Sequence, residues 1–209
     1  IAQGTWPLQP PPPDTYFPYV TMLLTGNGTN GAQNNTFLDS STNAFSITRN
    51  GNTTQGSFSP YGSLWSNYFD GSGDVFSIPH DTKLDLGSGD FTVEFWLYAI
   101  SWSSGTGGLL GKKLNDTTNG WQLYRDSGTP TKIDARLGTT NNFFTGSAVT
   151  INKWEHWALV RTGTTIYWFK DGVLDATGTS SVNLTDSSAS FKVGYADTWG
   201  AYGNFYISN

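Results

Sequence analysis

Apolar and polar residues alternate with a period of two along much of the chain. The clearest run covers residues 91–98, whose side chains divide between the two faces of a strand. One face carries Phe91, Val93, Phe95 and Leu97, and the other carries Thr92, Glu94, Trp96 and Tyr98. The apolar face predicts a position in the core between two sheets. The mixed polar and aromatic face is typical of a concave or subunit-facing sheet surface.

Residues 154–178 contain the strongest hairpin signal. Asp171 and Gly172 separate two apolar runs, and this dipeptide favours a type I′ turn because both turn residues need a positive φ. The alternating apolar positions in these runs are Trp157, Leu159, Ile166, Trp168 and Val173.

Turn residues follow nearly every apolar run, which predicts many short strands and therefore a sandwich or barrel. The predicted strands are 20–25, 36–38, 44–49, 64–69, 74–78, 91–99, 107–113, 120–125, 131–138, 143–151, 154–161, 164–170, 173–177, 190–195 and 203–209.

Composition supports an all-β domain. Only 13% of the 209 residues are charged, 15% are aromatic, and the only glutamates are Glu94 and Glu155, too few for long solvated helices. The formal net charge is −5, and the chain has no run of Lys or Arg, which argues against nucleic-acid binding. No apolar run approaches the roughly 18–20 residues that span a bilayer, so we expect no membrane insertion. Disulfides cannot stabilise the domain, because the chain has no cysteine.

Residues 1–19 form a Pro-rich lead. Four consecutive prolines at 10–13 cannot join a β-ladder and predict polyproline II. Two interpretations stay open: a linker, or an arm that docks on a neighbouring subunit through Trp6, Tyr16, Phe17 and Tyr19. Because the chain starts at Ile1 and ends on a strand pattern without a turn, we expect it to be part of a longer or processed protein, with its last strand truncated.

Three segments carry a family resemblance: WEHWALVR at 154–161, NYFDGSGDVFSIP at 67–79 and GDFTVEFWLY at 89–98. Together they resemble the laminin-G-like branch of the concanavalin A-like lectin/glucanase families, over about residue 20 to the C-terminus. The resemblance implies an all-β, two-sheet antiparallel jelly-roll sandwich at 20–209, preceded by the arm or linker at 1–19. It leaves function open, because such sandwiches include lectins, adhesion modules, hydrolases and viral coat components.

A narrower resemblance concerns the setting. The strings LLTGNGTNG, FLDSS and GSFSPYGSLWSNYFDGSGD resemble laminin-G-like domains in fibres, appendages and capsid decorations of tailed phages. This implies a non-catalytic structural or decoration module on a virion surface, in contact with copies of itself, other virion proteins or host-surface glycans. The alternative is a carbohydrate-binding adhesion module of a secreted or cell-surface bacterial protein, and a remote alternative is a glycoside hydrolase.

Catalysis is not expected. Glycoside hydrolysis needs two carboxyl groups roughly 5–10 Å apart, and the glucanases of this fold carry Glu-x-Asp-x-x-Glu on one strand. That string is missing, and Glu94 and Glu155 lie on different predicted strands. We expect Glu94 to pair with Arg161 or Arg136. The two histidines, His80 and His156, accompany no Gly-x-Ser-x-Gly elbow, which argues against a nucleophilic serine.

A weak metal signal is present at residues 70–74. Asp70 and Asp74 flank Gly-Ser-Gly, but they lack the ligand series of a calcium-binding helix–loop–helix site. The plain interpretation is a connection between strands. We expect no cofactor, but some domains of the resembled families bind calcium at the loop rim, which leaves one calcium ion as an open alternative.

Aromatic residues in Gly- and Ser-rich loops are the candidate ligand-binding residues. Such rings stack on the C–H patches of sugars when they are exposed, and they fill the core rim when they are not. The candidates are Trp102, Phe144, Trp199 and Tyr202.

Overall fold

The structure, a computed structural model, describes residues 14–26, 37–61, 65–102, 105–128, 131–140, 143–144 and 146–208. Trp6 of the lead therefore lies outside the described residues. The strands are β1 (Thr48–Asn50), β2 (Thr54–Gly56), β3 (Ser66–Asp70), β4 (Val75–Ile78), β5 (Phe91–Ala99), β6 (Gly107–Lys112), β7 (Trp121–Arg125), β8 (Asp134–Leu137), β9 (Trp154–Thr162), β10 (Thr165–Lys170), β11 (Val173–Thr179), β12 (Phe191–Val193), β13 (Tyr195–Ala196), β14 (Ala201–Tyr202) and β15 (Asn204–Ser208). Two short 3-10 helices lie at Phe17–Tyr19 and Thr82–Leu84. Within the described ranges, no helix is long and apolar enough to cross a membrane.

Two antiparallel sheets pack face to face, which confirms the predicted sandwich. The six-stranded sheet has the order β1-β4-β12-β6-β7-β8, and the seven-stranded sheet has the order β11-β10-β9-β5-β15-β3-β2. The short hairpin β13-β14 forms a separate two-stranded sheet. Connections cross between the sheets, as in the turn between β3 and β4.

The core lies between the inner faces of the two sheets. Trp157 and Trp168 stack with their ring centroids 5.3 Å apart, and Phe95, Leu123 and Phe205 are also buried. On β5 the alternation follows the prediction, since Phe95 and Leu97 are buried while Thr92 and Glu94 are exposed. Burial of these large side chains is the main stabilising contribution.

The predicted hairpin joins β10 to β11. Asp171 and Gly172 have φ values of 49° and 76°, as the Asp-Gly turn requires. Val173 begins β11, as the strand pattern predicted, and it is 69% exposed. The ladder shifts register between Trp168 and Phe169, and β11 is the edge strand of the sheet, so its side chains are less covered.

A second apolar cluster covers the outer face of the seven-stranded sheet. Tyr68, Tyr206, Tyr98 and Trp154 are directly paired across β3, β15, β5 and β9 and form one row of rings. Phe58 lies on this row, with ring centroids 4.7 Å from Tyr98, 5.0 Å from Tyr206 and 5.4 Å from Trp154. The segment that contains Phe58 therefore builds a satellite core outside the sandwich.

Three predicted strands are not formed. In the predicted strand 36–38, the described residues make only an isolated bridge from Leu38 to Ser46. Residues 20–25 have strand-like apolar spacing, but Leu23 N–H donates to the Asp39 carboxylate at 2.9 Å and Leu23 C=O accepts from Ser40 N–H. These bonds replace a ladder. Across 143–151, the described residues form isolated bridges at Ala148 and Ile151 instead of a strand. β2 and the β13-β14 hairpin were not predicted.

Candidate functional site

The outer face of the six-stranded sheet presents an ordered set of polar side chains on β7 and β8. Alternation directs Leu123 into the core and turns its neighbours Gln122 and Tyr124 outward. Cross-strand pairing places Gln122 opposite Arg136 and Tyr124 opposite Asp134. All four outward side chains are nonetheless buried, so another part of the chain covers them.

The cover is the β13-β14 hairpin, which crosses β6. Its close approach requires glycine at position 108, because a Cβ there would lie 2.1 Å from the amide nitrogen of Ala196 and 2.2 Å from the carbonyl carbon of Tyr195. The hairpin leaves β12 through Gly194, whose φ of 90° suits glycine alone. Its turn places Trp199 over the outer face.

Trp199 is held between two groups of that face. Its ring centroid lies 4.3 Å from that of Tyr124, with 36° between the planes. The guanidinium carbon of Arg136 lies 5.5 Å from the Trp199 ring, and Arg136 in turn forms an ion pair with Asp116. The indole remains 37% exposed, so it offers a fixed aromatic surface to solvent. We call Gln122, Tyr124, Asp134, Arg136 and Trp199 together the Trp199 face.

Two hydrogen-bond donors of the Trp199 face lack an acceptor among the described residues. They are Gln122 Nε2 and Arg136 Nε, and both atoms are buried. Thr198 Oγ1 donates to the other polar atom of the same amide, Gln122 Oε1, at 3.4 Å. A buried donor without an acceptor costs about 1–3 kcal/mol, so these two atoms lower the stability of the hairpin's contact with the sheet.

Charges around the Trp199 face are balanced locally. Lys192 Nζ lies 2.5 Å from an Asp197 carboxylate oxygen in the hairpin. Burial, and to a smaller extent the nearby Arg136 guanidinium, lower the pKa of Lys113 to about 8. Burial would raise the pKa of Asp186, but hydrogen bonds from Ser188 and other donors outweigh it and lower the pKa to about 2.

The structure separates the four candidate ligand-binding aromatics. Of the two interpretations, Trp102 and Phe144 follow the one without a ligand, since each is only 3% exposed. Trp102 Nε1–H donates to Lys132 C=O at 3.1 Å, and Phe144 stacks against Trp168 in the core. Both rings fill the core rim.

Trp199 and Tyr202 do lie on one hairpin. Tyr202 is half-buried and packs against Tyr195, with ring centroids 4.7 Å apart, so it supports the hairpin more than it faces solvent. Sequence reasoning missed Gln122, Tyr124 and Arg136. The available signal was the alternation in WQLYR and DARL, which marks one polar face on each strand.

The described part of the lead leaves its tyrosines in solvent. Tyr16 and Tyr19 are 76% and 83% exposed, and Phe17 is half-buried. Their predicted role in assembly stays a prediction.

Asp70 and Asp74 brace the turn between β3 and β4. The Asp74 carboxylate accepts from Asn52 N–H at 2.7 Å and from Asp70 N–H at 2.9 Å, and Asp70 accepts from Ser72 N–H at 2.7 Å. Backbone donors thus use the oxygens that a metal would need. A search of the described residues finds no group of three or more His, Asp or Glu side chains suited to a metal ion.

The two glutamates face opposite sides of the seven-stranded sheet. Glu94 is on the outer face, 3.6 Å from His156, so its expected pairing with Arg161 or Arg136 was wrong. Arg161 points inward and donates to backbone carbonyls such as Val182 C=O. Glu155 is buried, with Lys170 Nζ at 3.0 Å.

The family is settled by comparison with family models. A laminin-G-type model, described as the concanavalin A-like lectin/glucanases superfamily, matches residues 70–209, which is more than half of the chain. The chain belongs to the concanavalin A-like lectin/glucanase superfamily. The comparison with curated protein sequences gave no significant match.

Several solved structures have a similar fold. Domain 4 of an extracellular arabinanase from Geobacillus stearothermophilus, in complex with arabinotriose, is 16% identical with a TM-score of 0.61, covering 81% of this chain and 82% of that one. The binding domain of botulinum neurotoxin DC, in complex with rat synaptotagmin II, is 13% identical with a TM-score of 0.61, covering 90% of this chain and 47% of that one. The same toxin domain in complex with SialylT is 14% identical, with a TM-score of 0.58 and coverages of 90% and 48%.

The chain therefore spans about half the length of these toxin domains. At these identities the likeness shows the fold alone.

Proposed function

We propose that this chain is a non-catalytic carbohydrate-binding module whose binding site is the Trp199 face. The observation that carries the proposal is the exposed indole of Trp199, fixed in place by Tyr124 and Arg136. An aromatic ring offers its face to the C–H patch of a sugar.

Two of the similar structures support this class of ligand. The arabinanase domain is in complex with arabinotriose, and one toxin domain is in complex with SialylT. We therefore assign the chain to the carbohydrate-binding modules of secreted or cell-surface proteins. This proposal agrees with the ligands of the two similar structures and with the exposed ring of the Trp199 face.

Affinity electrophoresis in native gels that contain soluble polysaccharides, arabinan included, tests the proposal. The wild-type protein should be retarded by at least one neutral polysaccharide. Trp199→Ala should weaken the retention at least about tenfold, equivalent to ~1.4 kcal/mol. Tyr61→Ala is the matched control, because Tyr61 is a 44% exposed ring that packs on Trp96, on the opposite sheet. Unchanged retention of Trp199→Ala would refute the proposed site.

The absence of catalysis is part of the proposal. Its support is the placement of Glu94 and Glu155 on opposite faces of one sheet, which prevents them from flanking one glycosidic bond. Reducing-end assays on every retained polysaccharide should detect no cleavage by the wild type. Cleavage that disappears in Glu94→Gln or Glu155→Gln would contradict the proposal.

A structural role on a virion surface is the second candidate. The exposed rings of Tyr16 and Tyr19, next to the Pro-rich segment, favour contact with another molecule. If the chain is such a subunit, deletion of residues 1–13 should impair oligomerisation or incorporation and leave the sandwich folded. A truncated protein that assembles normally would exclude the arm from this role.

A further inference from the structure

The connection between β6 and β7 borders the Trp199 face on one side. Asp116 lies in this connection with 68% of its side chain exposed, and it is the ion-pair partner of Arg136. Arg136 donates from Nη1 to the carboxylate oxygen Oδ1 of Asp116 and from Nη2 to Asp116 C=O at 3.5 Å. One guanidinium therefore holds both the side chain and the backbone of Asp116 at the rim of the Trp199 face.

The same guanidinium also holds Trp199. Its carbon lies 5.5 Å from the centroid of the indole ring, and only 3% of Arg136 is exposed. Trp199 and Asp116 come from separate segments of the chain, and they meet at this one buried cation. A ligand that stacks on the indole therefore has the Asp116 carboxylate beside it.

The connection that carries Asp116 is held in place by its own hydrogen bonds. Asn115 Oδ1 accepts from Thr117 N–H at 2.9 Å and from Thr117 Oγ1–H at 2.8 Å. Leu114 N–H donates to the Asp186 carboxylate at 3.0 Å, which anchors the connection to the segment before β12. Asp116 is therefore positioned before a ligand arrives, and less conformational entropy is lost on binding.

The second carboxylate oxygen of Asp116 is available to a ligand. Arg136 occupies Oδ1, whereas Oδ2 accepts no hydrogen bond from the described residues, and the side chain is mostly exposed. An ionised carboxylate can only accept hydrogen bonds, and those that it accepts from hydroxyl groups are short and strong. Oδ2 therefore suits the hydroxyl groups of a sugar.

The cations around the Trp199 face are not available to an acidic ligand. Arg136 is paired with Asp116, and Lys192 is paired with Asp197. Lys113 is only 2% exposed, so a ligand does not reach it. An acidic sugar would therefore meet the Asp116 carboxylate without gaining a free cation, and like charges at short range repel.

We propose that Asp116 determines the specificity of the Trp199 face, as the acceptor that binds hydroxyl groups of a neutral sugar and excludes sugars that carry carboxylate or sulfate groups. This inference rests on the carbohydrate-binding role proposed above and names its ligand class. Trp199 supplies the stacking surface and Asp116 supplies the directional contact. An apolar surface alone discriminates weakly between ligands that differ in a hydroxyl group, so the selectivity depends on Asp116.

Asp116→Asn is the variant that tests this role. Asparagine keeps an Oδ1 acceptor for the buried Arg136 guanidinium and replaces Oδ2 with a donor, so the protein should fold with an unchanged Trp199 indole N–H resonance. In calorimetry with the neutral polysaccharide that retards the wild type most, its affinity should be at least tenfold lower than that of the wild type. Asp126→Asn is the matched control and should bind like the wild type. Asp126 lies at the other end of β7, where it accepts from Gly128 N–H at 2.6 Å.

Two derivatives of the same polysaccharide test the exclusion of acidic sugars. One is carboxymethylated, and the other is hydroxyethylated to the same degree, which controls for the substituted hydroxyl groups. At low ionic strength the wild type should bind the carboxymethylated derivative at least tenfold more weakly than the hydroxyethylated one. This difference should shrink in Asp116→Asn, which lacks the negative charge.

Two results would overturn the proposal: wild-type affinity of folded Asp116→Asn for the neutral polysaccharide, or equal binding of the two derivatives by the wild type. The second comparison uses the wild type alone, so it decides the proposal even if the variant is unstable. Either result would leave the carbohydrate-binding site in place as long as Trp199→Ala weakens retention. If Trp199→Ala has no effect, the proposed site fails, and the role of Asp116 fails with it.

Discussion

Gly108→Ala is the substitution that tests most sharply how the Trp199 face is built. The added Cβ would lie 2.1 Å from Ala196 N and 2.2 Å from Tyr195 C, both backbone atoms of the hairpin. An ordinary contact needs about 3.5 Å, so the hairpin must retreat by roughly 1.4 Å. Strain of this kind costs about 1–3 kcal/mol, and loss of the Trp199–Tyr124 contact adds ~0.5–1.5 kcal/mol.

The expected result is a folded protein with a displaced hairpin. For a domain of this size the combined cost of about 1.5–4.5 kcal/mol corresponds to a fall in Tm of roughly 3–18 °C. In heteronuclear NMR spectra the indole N–H resonance of Trp199, assigned with Trp199→Phe, should shift, while those of the core tryptophans should not.

Gly89→Ala is the matched control, because a Cβ at Gly89 meets no atom within 4 Å. Its stability should stay within about 0.5 kcal/mol of the wild type. If Gly108→Ala matched the wild type in both Tm and the Trp199 resonance, the close packing of the hairpin on β6 would be refuted.

Three further predictions concern stability. Phe95→Ala should lower the free energy of unfolding by about 3–5 kcal/mol in chemical denaturation, since the ring is 3% exposed in the core; a loss below ~1 kcal/mol would contradict its placement. The pKa of Lys113 is about 8 in the folded chain, below its ordinary value of 10.5. Between these two pH values the unfolded chain holds more protons than the folded chain, so the stability rises with pH. Lys113→Met should flatten this rise in a Tm–pH profile. The pKa of Asp186 is lowered from 3.8 to about 2, so its stabilising contribution is present above pH 3.8 and is lost as the pH falls to about 2. The Tm difference between the wild type and Asp186→Asn should therefore shrink as the pH falls over that window. A constant Tm difference would refute the stabilising role of the Asp186 carboxylate.

Strands with one buried face were predictable from the sequence. β5 begins and ends where the alternation predicted, and β9 and β10 each differ from their predicted bounds by one residue. The agreement is close because a shift of the register by one residue would move every apolar side chain to the wrong face of the sheet. The segment 20–25 has a similar apolar content, but its partners are the side chain of Asp39 and the backbone of Ser40. Such long-range bonds leave no periodic trace in the sequence.

The candidate site was predictable only in part. The Gly-rich loop around Trp199 indicates a ring that can stay exposed. The same signal surrounds Trp102, but that ring is buried, with a hydrogen bond to Lys132 C=O and Arg125 over its face. The unpartnered donors of Gln122 and Arg136 depend on the pairing of β7 with β8 and on the cover by the hairpin. Neither can be derived from local pattern.

The most direct test of the proposed function is a titration of the isotope-labelled protein with an oligosaccharide from the polysaccharide that retains it best. The nine tryptophans give separate indole N–H reporters, and those among the described residues are distributed over the core and both outer faces. We predict that the Trp199 resonance shifts with saturation, while Trp157 and Trp168 in the core and Trp96 and Trp154 on the opposite sheet do not. Saturable binding that moves Trp96 or Trp154 and leaves Trp199 unchanged would contradict the account.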